Sequence, residues 1–404
     1  MTQQTARRYF FSILALALTI RIAYALVTPP FQAPDEYSHY SYARFIHDFR
    51  QLPVQPDPAV RSEELEFHQP PLYYIMAASL FSSTRLIEGR PLLPLRFVNI
   101  LFSMLTIVIA YYFAATLFPK SPFRVALICG GIGLLPTYSY ISATMRNGVL
   151  ATLFASLGFY LCAKAVLDDE QQRHARWSWV GVVAGLAILS KLTAIGFVCA
   201  AGLLLVTTGR NRRDLLHKAG WFALGVMSTA GWWFVRNWSL YGHFLKVIEN
   251  GERFIPPPVT WAHEKQSAIV LFKTFWAVFG RVNEFYFADI YRFYWLFAGI
   301  AALGIIRYAL QTRHDLPARL AGFFAVAIGI SLAATFYYAH NHNSDQGRYM
   351  FPALFPIATF IAIGLSTIFP ERYHRWVLDA VLLAFATINA VVLARLAAAY
   401  LQIS

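Results

Sequence analysis

The residues best suited to chemistry sit in one short stretch, Pro29-Pro30-Phe31-Gln32-Ala33-Pro34-Asp35-Glu36-Tyr37-Ser38-His39. Two adjacent carboxylates and a histidine follow the first long apolar run directly. The proline pair stops a helix there, so the carboxylates stay near a bilayer surface. Neighbouring carboxylates repel, and partial burial raises one pKa while the other group stays ionised. That suits a general base for a hydroxyl. It also suits a divalent cation, with Asp35, Glu36 and His39 as its ligands. The same residues would start an interfacial helix, with Pro34 in the first turn and acids at the positive end of the macrodipole. Both readings can hold together.

The cations that could face these carboxylates are scattered along the chain. Arg348 lies in Gln346-Gly347-Arg348-Tyr349, just before an apolar run. A guanidinium there grips phosphate in bidentate fashion, and the glycine admits close backbone approach. Ordinary snorkelling is the competing account. Lys191 separates two apolar runs with no polar loop to explain its charge. Arg146-Asn147 occupies another short turn, and Arg236, Asn237 and Tyr241 follow a further span. His68 and Tyr73 stand later in the first loop, within His68-Gln69-Pro70-Pro71-Leu72-Tyr73-Tyr74. Charges at span ends are costly unless paired or bathed in a polar cavity, so several on one side imply such a cavity. His39, His68, His340 and His342 show no i,i+4 pair with a carboxylate between, and each reads first as a hydrogen-bonded histidine. His340-Asn341-His342 could clasp a metal only in an extended loop. Some tyrosines would stack on a sugar ring or line a lipid groove.

The elements that must position these groups are membrane helices. Of 404 residues, 57% are hydrophobic and only 14% charged, against about 25% charged in soluble domains. Apolar runs of spanning length recur throughout, too long for the strands of a membrane β-barrel. The expected fold is all-α: a polytopic helical membrane protein with about eleven transmembrane helices. These fall near 9–28, 92–118, 122–145, 148–167, 177–189, 192–208, a seventh ending at the Trp232–Trp238 aromatic belt, 289–310, 318–338, 350–369 and 375–399. The fifth is short for a crossing. Two long loops, 28–91 and 239–288, are expected outside. The first carries interfacial helices over the Tyr37, Tyr40, Tyr42, Phe45 pattern and over 72–81, and the second one over 268–279. It also holds Pro256-Pro257-Pro258. The whole chain reads as one integral membrane domain with no separate soluble domain.

The net charge of +13 has a topological source. Arg7, Arg8, Lys120, Arg124, Arg173, Arg176, Arg210, Arg212, Arg213, Lys218, Arg313, Arg319, Arg372 and Arg375 fall in the proposed cytoplasmic segments. That is the positive-inside pattern, and it takes precedence over nucleic-acid binding. It puts the N-terminus in the cytoplasm. Arg7-Arg8, the apolar run and Ala23-Tyr24-Ala25 imitate a signal peptide, but Arg21 interrupts the run, and a retained anchor is expected. Cys129, Cys162 and Cys199 all lie in apolar runs and read as packing residues.

Taken together the motifs resemble the GT-C superfamily of polytopic glycosyltransferases. The carriers are Pro34-Asp35-Glu36-x-x-His39, His68-Gln69-Pro70-Pro71-Leu72-Tyr73-Tyr74, Ser190-Lys191, Trp233-Phe234-Val235-Arg236-Asn237 and Gln346-Gly347-Arg348-Tyr349 with Pro352 beyond. The pattern looks closest to a bacterial branch related to protein mannosyltransferases and to the aminoarabinose transferase of lipid A. The resemblance implies a polyprenyl-phosphate-linked sugar donor and a glycan, lipid or protein acceptor, handled on the extracytoplasmic face of a bacterial inner membrane. It implies Asp35 as base with Glu36 as its partner, metal contact or alternative base. Arg348 and Lys191, then Arg146 and Arg236, would bind the donor phosphate. His39, His68, Tyr73, Asn147, Asn237, Tyr241, Gln346 and Tyr349 would contact substrate. One departure stands out: an acid is expected after the asparagine of the third outer turn, and Gly148 follows Asn147. That removes a metal ligand, so no cofactor is assigned beyond an open divalent-cation question.

Two other classes compete. A lipid-sugar flippase or solute transporter would place its ionisable residues near the bilayer midplane on broken helices, often in paired repeats. A non-enzymatic subunit of a polysaccharide assembly complex would tolerate neutralisation of Asp35. Clustering at one surface beside two long loops favours catalysis. No Gly-rich phosphate loop is seen for a nucleotide donor.

Overall fold

The computed structural model describes residues 2–56, 64–81, 90–168, 174–246, 259–280, 288–312, 314–342 and 344–401. Arg173, Arg313, the Pro256-Pro257-Pro258 run and the His342 side chain lie outside the described residues. Every regular element among the described residues is a helix.

Helix α1 (Gln3–Val27) starts at Thr2, whose hydroxyl accepts the Thr5 amide. Two prolines stop it. Helices α2 (Glu36–Phe49) and α3 (Leu72–Ser79) follow, over the stretches where the aromatic patterning predicted helix. Long helix α4 (Leu93–Leu117) opens with a proline in its first turn, where the missing N–H costs nothing. Next come α5 (Pro122–Gly133) and α6 (Pro136–Ser142), bent by 53° at a break that Pro136 enforces. The expected span 122–145 is thus a broken one.

Helices α7 (Gly148–Leu167), α8 (His174–Ser190) and α9 (Ile195–Thr208) build the middle of the bundle. Helices α10 (Arg212–Val226) and α11 (Trp232–Tyr241) are joined through a π-helical turn, Met227–Gly231. The second-loop helix is α12 (Trp261–Trp276), beginning earlier than the aromatic pattern suggested. Helices α13 (Ala288–Ala309), α14 (Ala318–His342), α15 (Leu354–Ile368) and α16 (His374–Leu401) complete the chain. Among the described residues seven helices are long and apolar enough to cross a membrane, or eight when the bent pair counts as one. The remaining expected spans are helical but weaker. Segments α8 and α9 are short, and α10 opens on Arg212, Arg213 and Asp214.

Between apolar helices in lipid, association rests on close packing rather than on expulsion of water. Helices α13 and α15 show this. A methyl group added at Gly304 would lie 2.0 Å from the Gly364 carbonyl oxygen, so the two backbones touch. At the α5–α6 break the cost is met by Arg21 of α1, which is wholly buried. Its guanidinium donates to the Gly133 carbonyl at 2.8 Å and to the Ser103 and Ser142 hydroxyls. The arginine that interrupts the first apolar run thus serves the broken helix beside it.

Candidate active site

The 28–35 loop is tied to the bundle by Glu36 and Arg96. Glu36 is fully buried at the start of α2, and Arg96 is 2% exposed on α4. The guanidinium forks onto the carboxylate, Nε to Oε1 at 2.9 Å and Nη2 to Oε2 at 2.7 Å. The Met145 and Phe31 amides take the remaining capacity of the two oxygens, at 3.0 and 3.1 Å. Arg96 also donates to the carbonyls of Ala25, Thr28 and Pro29. The first two lie at the end of α1, where helix carbonyls go unpaired, and the third lies just beyond it. Glu36, expected to share the chemistry of Asp35, therefore has both oxygens occupied in holding the loop. The apolar-run arginine Arg96 was the available signal for this, since an intramembrane charge demands a partner.

Asp35 is held differently. Its backbone is left-handed, with φ 58° and ψ 4°. Aspartate tolerates that conformation better than most residues. Such strain is retained where surrounding structure over-determines it, often at functional sites. The side chain stays 44% exposed and pairs with Arg348 Nη2 at 2.5 Å and Arg146 Nη2 at 3.9 Å. Arg146 also donates to the Pro34 carbonyl. Lys191 completes the group, its Nζ 5.6 Å from the Tyr349 ring centroid. A cleft lined by Tyr138, Ile141, Arg146, Lys191, Arg348 and Tyr349 runs beside it.

Each cation has its own support. Arg146 lies in the turn between α6 and α7, whose carbonyls at Thr144 and Arg146 receive the Asn99 amide at 2.6 and 3.0 Å. Lys191 is the extended residue after α8, where the helix has ended and the next turn has not begun. Arg348 follows Gly347, whose amide donates to the Thr274 hydroxyl of α12 at 2.7 Å. A Cβ at Gly347 would lie 2.3 Å from the Leu271 carbonyl oxygen. The glycine thus serves close approach to α12.

Electrostatics sort the carboxylates. The partial burial of Asp35 works against its ionisation, but Arg348 and then Arg146 hold its carboxyl well below the usual range. Glu66 was absent from the sequence-derived site. Its place two residues before His68 was the available signal. Burial, and then the charge of Asp35, push its carboxyl up to about 7. Its Oε2 lies 3.9 Å from His39 Nδ1, which itself bonds the Tyr74 hydroxyl at 2.8 Å. Burial, then Arg146 and Lys191, keep His39 well below its ordinary pKa, hence neutral. Burial brings Lys191 down to about 8. Burial and the neighbouring Arg348 bring Arg146 to about 10.

Asp35, His39 and Glu66 bring one ligand atom each to within 4.8 Å of one another. Glu66 replaces Glu36 in the trio read from sequence. The charge balance nevertheless does not fit a dication. Two carboxylates face three cations, one of them already on the Asp35 oxygen. A divalent ion would meet net positive charge there.

Other predicted residues are placed around this group rather than in it. Asn147 donates to Gln69 Oε1 at 3.3 Å, and its own Oδ1 is buried with no hydrogen-bond partner. Tyr73 is buried, its ring edge-on to that of Tyr74 with centroids 5.5 Å apart. His68 Nε2 lies 3.3 Å from Gln69 Nε2. Gln346 and Tyr349 both meet Ser344 Oγ, at 3.2 and 2.9 Å, and fold their loop on itself. Three residues belong elsewhere. Arg236 donates to the Pro53 carbonyl at 2.7 Å, the Tyr241 hydroxyl accepts the Gln55 amide at 2.9 Å, and Asn237 donates to the Phe244 carbonyl. They fasten loop backbone to and around α11 rather than facing Asp35.

What the cluster can do follows from what it leaves unspent. Arg348 Nε and Arg146 Nε are buried without hydrogen-bond partners. Such donors are costly unless an acceptor reaches them. Two spare guanidinium donors and an ammonium beside a cleft suit a phosphate.

Comparison with known proteins agrees on architecture. The family described as dolichyl-phosphate-mannose-protein mannosyltransferase matches residues 68–233. No curated protein matches the chain. Among solved structures, ArnT from Cupriavidus metallidurans bound to undecaprenyl phosphate superposes with a TM-score of 0.59 at 16% identity, over 90% of this chain and 61% of ArnT. The apo oligosaccharyltransferase of Archaeoglobus fulgidus superposes with a TM-score of 0.52 at 13% identity, over 96% of this chain and 56% of that one. The archaeal oligosaccharyltransferase AglB from Archaeoglobus fulgidus, in complex with an inhibitory peptide and a dolichol-phosphate, gives 0.50 at 15% identity, over 97% and 55%. The chain thus spans about three fifths of the length of ArnT.

Proposed function

We propose, for a chain with the GT-C fold, that it transfers a sugar from a polyprenyl-phosphate donor to a cell-envelope acceptor. The transfer takes place on the extracytoplasmic face of a bacterial inner membrane, with the N-terminus in the cytoplasm. The observation that carries this reading is the convergence of Arg348, Arg146 and Lys191 on Asp35, with two arginine Nε donors unspent. The solved relatives bound to undecaprenyl phosphate and dolichol-phosphate support the donor class.

In this mechanism the donor phosphate competes with Asp35 for Arg348. Its oxygens take the guanidinium donors, and the Asp35 carboxylate is released towards the acceptor hydroxyl. Asp35 accepts the hydroxyl proton as the oxygen attacks the anomeric carbon from the face opposite the phosphate. The bond from anomeric carbon to phosphate oxygen breaks, its electron pair leaves with the polyprenyl phosphate, and the configuration inverts. Arg348, Arg146 and Lys191 neutralise the charge growing on the leaving group. The acceptor is a polysaccharide, a glycolipid or a protein. No step runs through a metal.

A second assignment of the base is favoured by one observation. Glu66 sits at about 7, close to the pKa wanted of a general base, whereas Asp35 is held ionised by cations. In that version Asp35 orients the acceptor and Glu66 takes the proton.

The test compares surface glycans and glycolipids by mass spectrometry in a deletion strain. The strain carries wild type or Asp35→Asn at equal membrane abundance. One missing sugar restored only by wild type supports the transferase. Restoration by both chains would favour a carrier or an assembly subunit instead.

A further inference from the structure

A second cluster lies away from Asp35, at the start of α12 and the end of α14. His263, Glu264 and His340 bring one ligand atom each to within 4.8 Å of one another. His263 Nδ1 is 3.3 Å from Glu264 Oε1, and His340 Nδ1 is 3.2 Å from the same oxygen. The two imidazoles face each other edge-on, with centroids 5.7 Å apart and planes at 87°. All three side chains are partly buried, His340 most of all at 19% exposure.

We infer that His263, Glu264 and His340 form a zinc-binding site that clamps α12 to the segment carrying Arg348. Zinc takes imidazole nitrogen and carboxylate oxygen at about 2.0–2.2 Å in tetrahedral geometry, which sets neighbouring ligand atoms roughly 3.3–3.5 Å apart. The spacings of 3.3 and 3.2 Å to the Glu264 oxygen lie close to that. Two imidazoles select zinc over magnesium or calcium, which prefer all-oxygen shells. The simpler account is a carboxylate accepting a hydrogen bond from each ring. It fits His263, but His340 Nδ1 is buried and makes no hydrogen bond despite its approach to Glu264. A cation shared among the three satisfies that nitrogen. No extended loop is needed, because His340 is helical and its partners come from another helix.

The site has a mechanical consequence. Glu264, Ser267, Leu271 and Thr274 lie along one face of α12. Each of the first, second and fourth meets the 340–348 segment in order: His340 at Glu264, Asp345 Oδ2 at 3.2 Å from the Ser267 hydroxyl, and the Gly347 amide on Thr274. The metal closes the first of these three stitches, and Arg348 follows the last. It fixes where the guanidinium stands without touching substrate.

Full-length protein in detergent, stripped with EDTA and desalted, would be titrated with Zn²⁺ alone against a chromogenic chelator. Bound metal would be counted by elemental mass spectrometry. No sugar donor is involved, so the result is independent of the transferase reading. The expected outcome is one equivalent per chain, weakened at least tenfold in His340→Ala and in the milder His340→Gln, and retained in His39→Ala. Co²⁺ in place of Zn²⁺ should give the visible bands of a tetrahedral site in wild type and in His39→Ala only. Zinc should raise the melting temperature of wild type but not of His340→Gln. A wild-type chain that retains no equivalent overturns the inference. So does an equivalent that survives in both His340 variants or is lost in His39→Ala.

Discussion

Neutralising Glu36 and neutralising Asp35 should have opposite consequences, although the two residues are adjacent. Glu36→Gln removes the charge from a carboxylate that is fully buried and accepts four donors. Of the two atoms replacing its oxygens, the amide nitrogen must face two donors. Arg96 keeps three carbonyls but loses its only ion-pair partner among the described residues. Removing one member of a buried pair costs roughly 3–5 kcal/mol. Asp35→Asn is milder. The Asp35 side chain is 44% exposed, so solvent screens its pair with Arg348 and the loss stays within about 1 kcal/mol. The change is further cushioned because the charge of Asp35 is one of the forces holding Glu66 protonated. Without Asp35, Glu66 ionises more readily and returns a negative charge to the cluster. Tryptophan fluorescence on heating in detergent reads stability, and glycan profiling of complemented strains reads transfer. Glu36→Gln should melt several degrees lower and lose transfer in proportion to lost folded protein. Asp35→Asn should melt near wild type and lose transfer outright. A Glu36→Gln protein with wild-type melting but no transfer would refute this division of labour.

Transfer rate should follow a bell-shaped pH profile. The acid limb belongs to the version with Glu66 as base: the rate rises as Glu66, at about 7, sheds its proton, and falls as Lys191, at about 8, loses its charge. In that version Glu66→Gln should abolish transfer, and Lys191→Arg should push the alkaline limb higher. Full transfer in Glu66→Gln would remove Glu66 as the base, and an unchanged alkaline limb in Lys191→Arg would remove Lys191. Gly347→Ala drives a methyl group into the Leu271 carbonyl oxygen and should part α12 from the arginine segment. Expected is a loss of transfer at least tenfold larger than that of Ala353→Gly nearby, measured at equal membrane abundance. Arg21→Leu strips donors from the Gly133 carbonyl and two hydroxyls, and should destabilise by about 1–3 kcal/mol. Arg21→Lys, which can still reach one acceptor, should recover part of that melting temperature.

Much of the architecture was legible in the chain itself. Runs of apolar residues of spanning length can only be membrane helices when they are so many, because lipid offers no partner to an open backbone. The proline pair ending α1 and the aromatic patterns behind α2 and α3 were local signals with local outcomes. The span count was less legible. A break such as Leu134-Leu135-Pro136 sits within a continuous apolar run, and only the bend reveals it. Arg348, Lys191, Arg146 and Asp35 could be named from sequence because a charge beside a span has few cheap explanations.

Which charges face one another was decided by tertiary structure alone. The left-handed turn at Asp35 separates two neighbours that sequence could only treat as a pair. Glu36 goes to Arg96, 60 residues on, and Asp35 to Arg348, 313 residues on. Glu66 entered the site, and Arg236 left it, for the same reason. Hydropathy along a chain fixes where helices lie, since each residue meets the bilayer by itself. Ion pairs depend on distances of a few ångströms between segments far apart in sequence, and those distances exist only once the helices have packed.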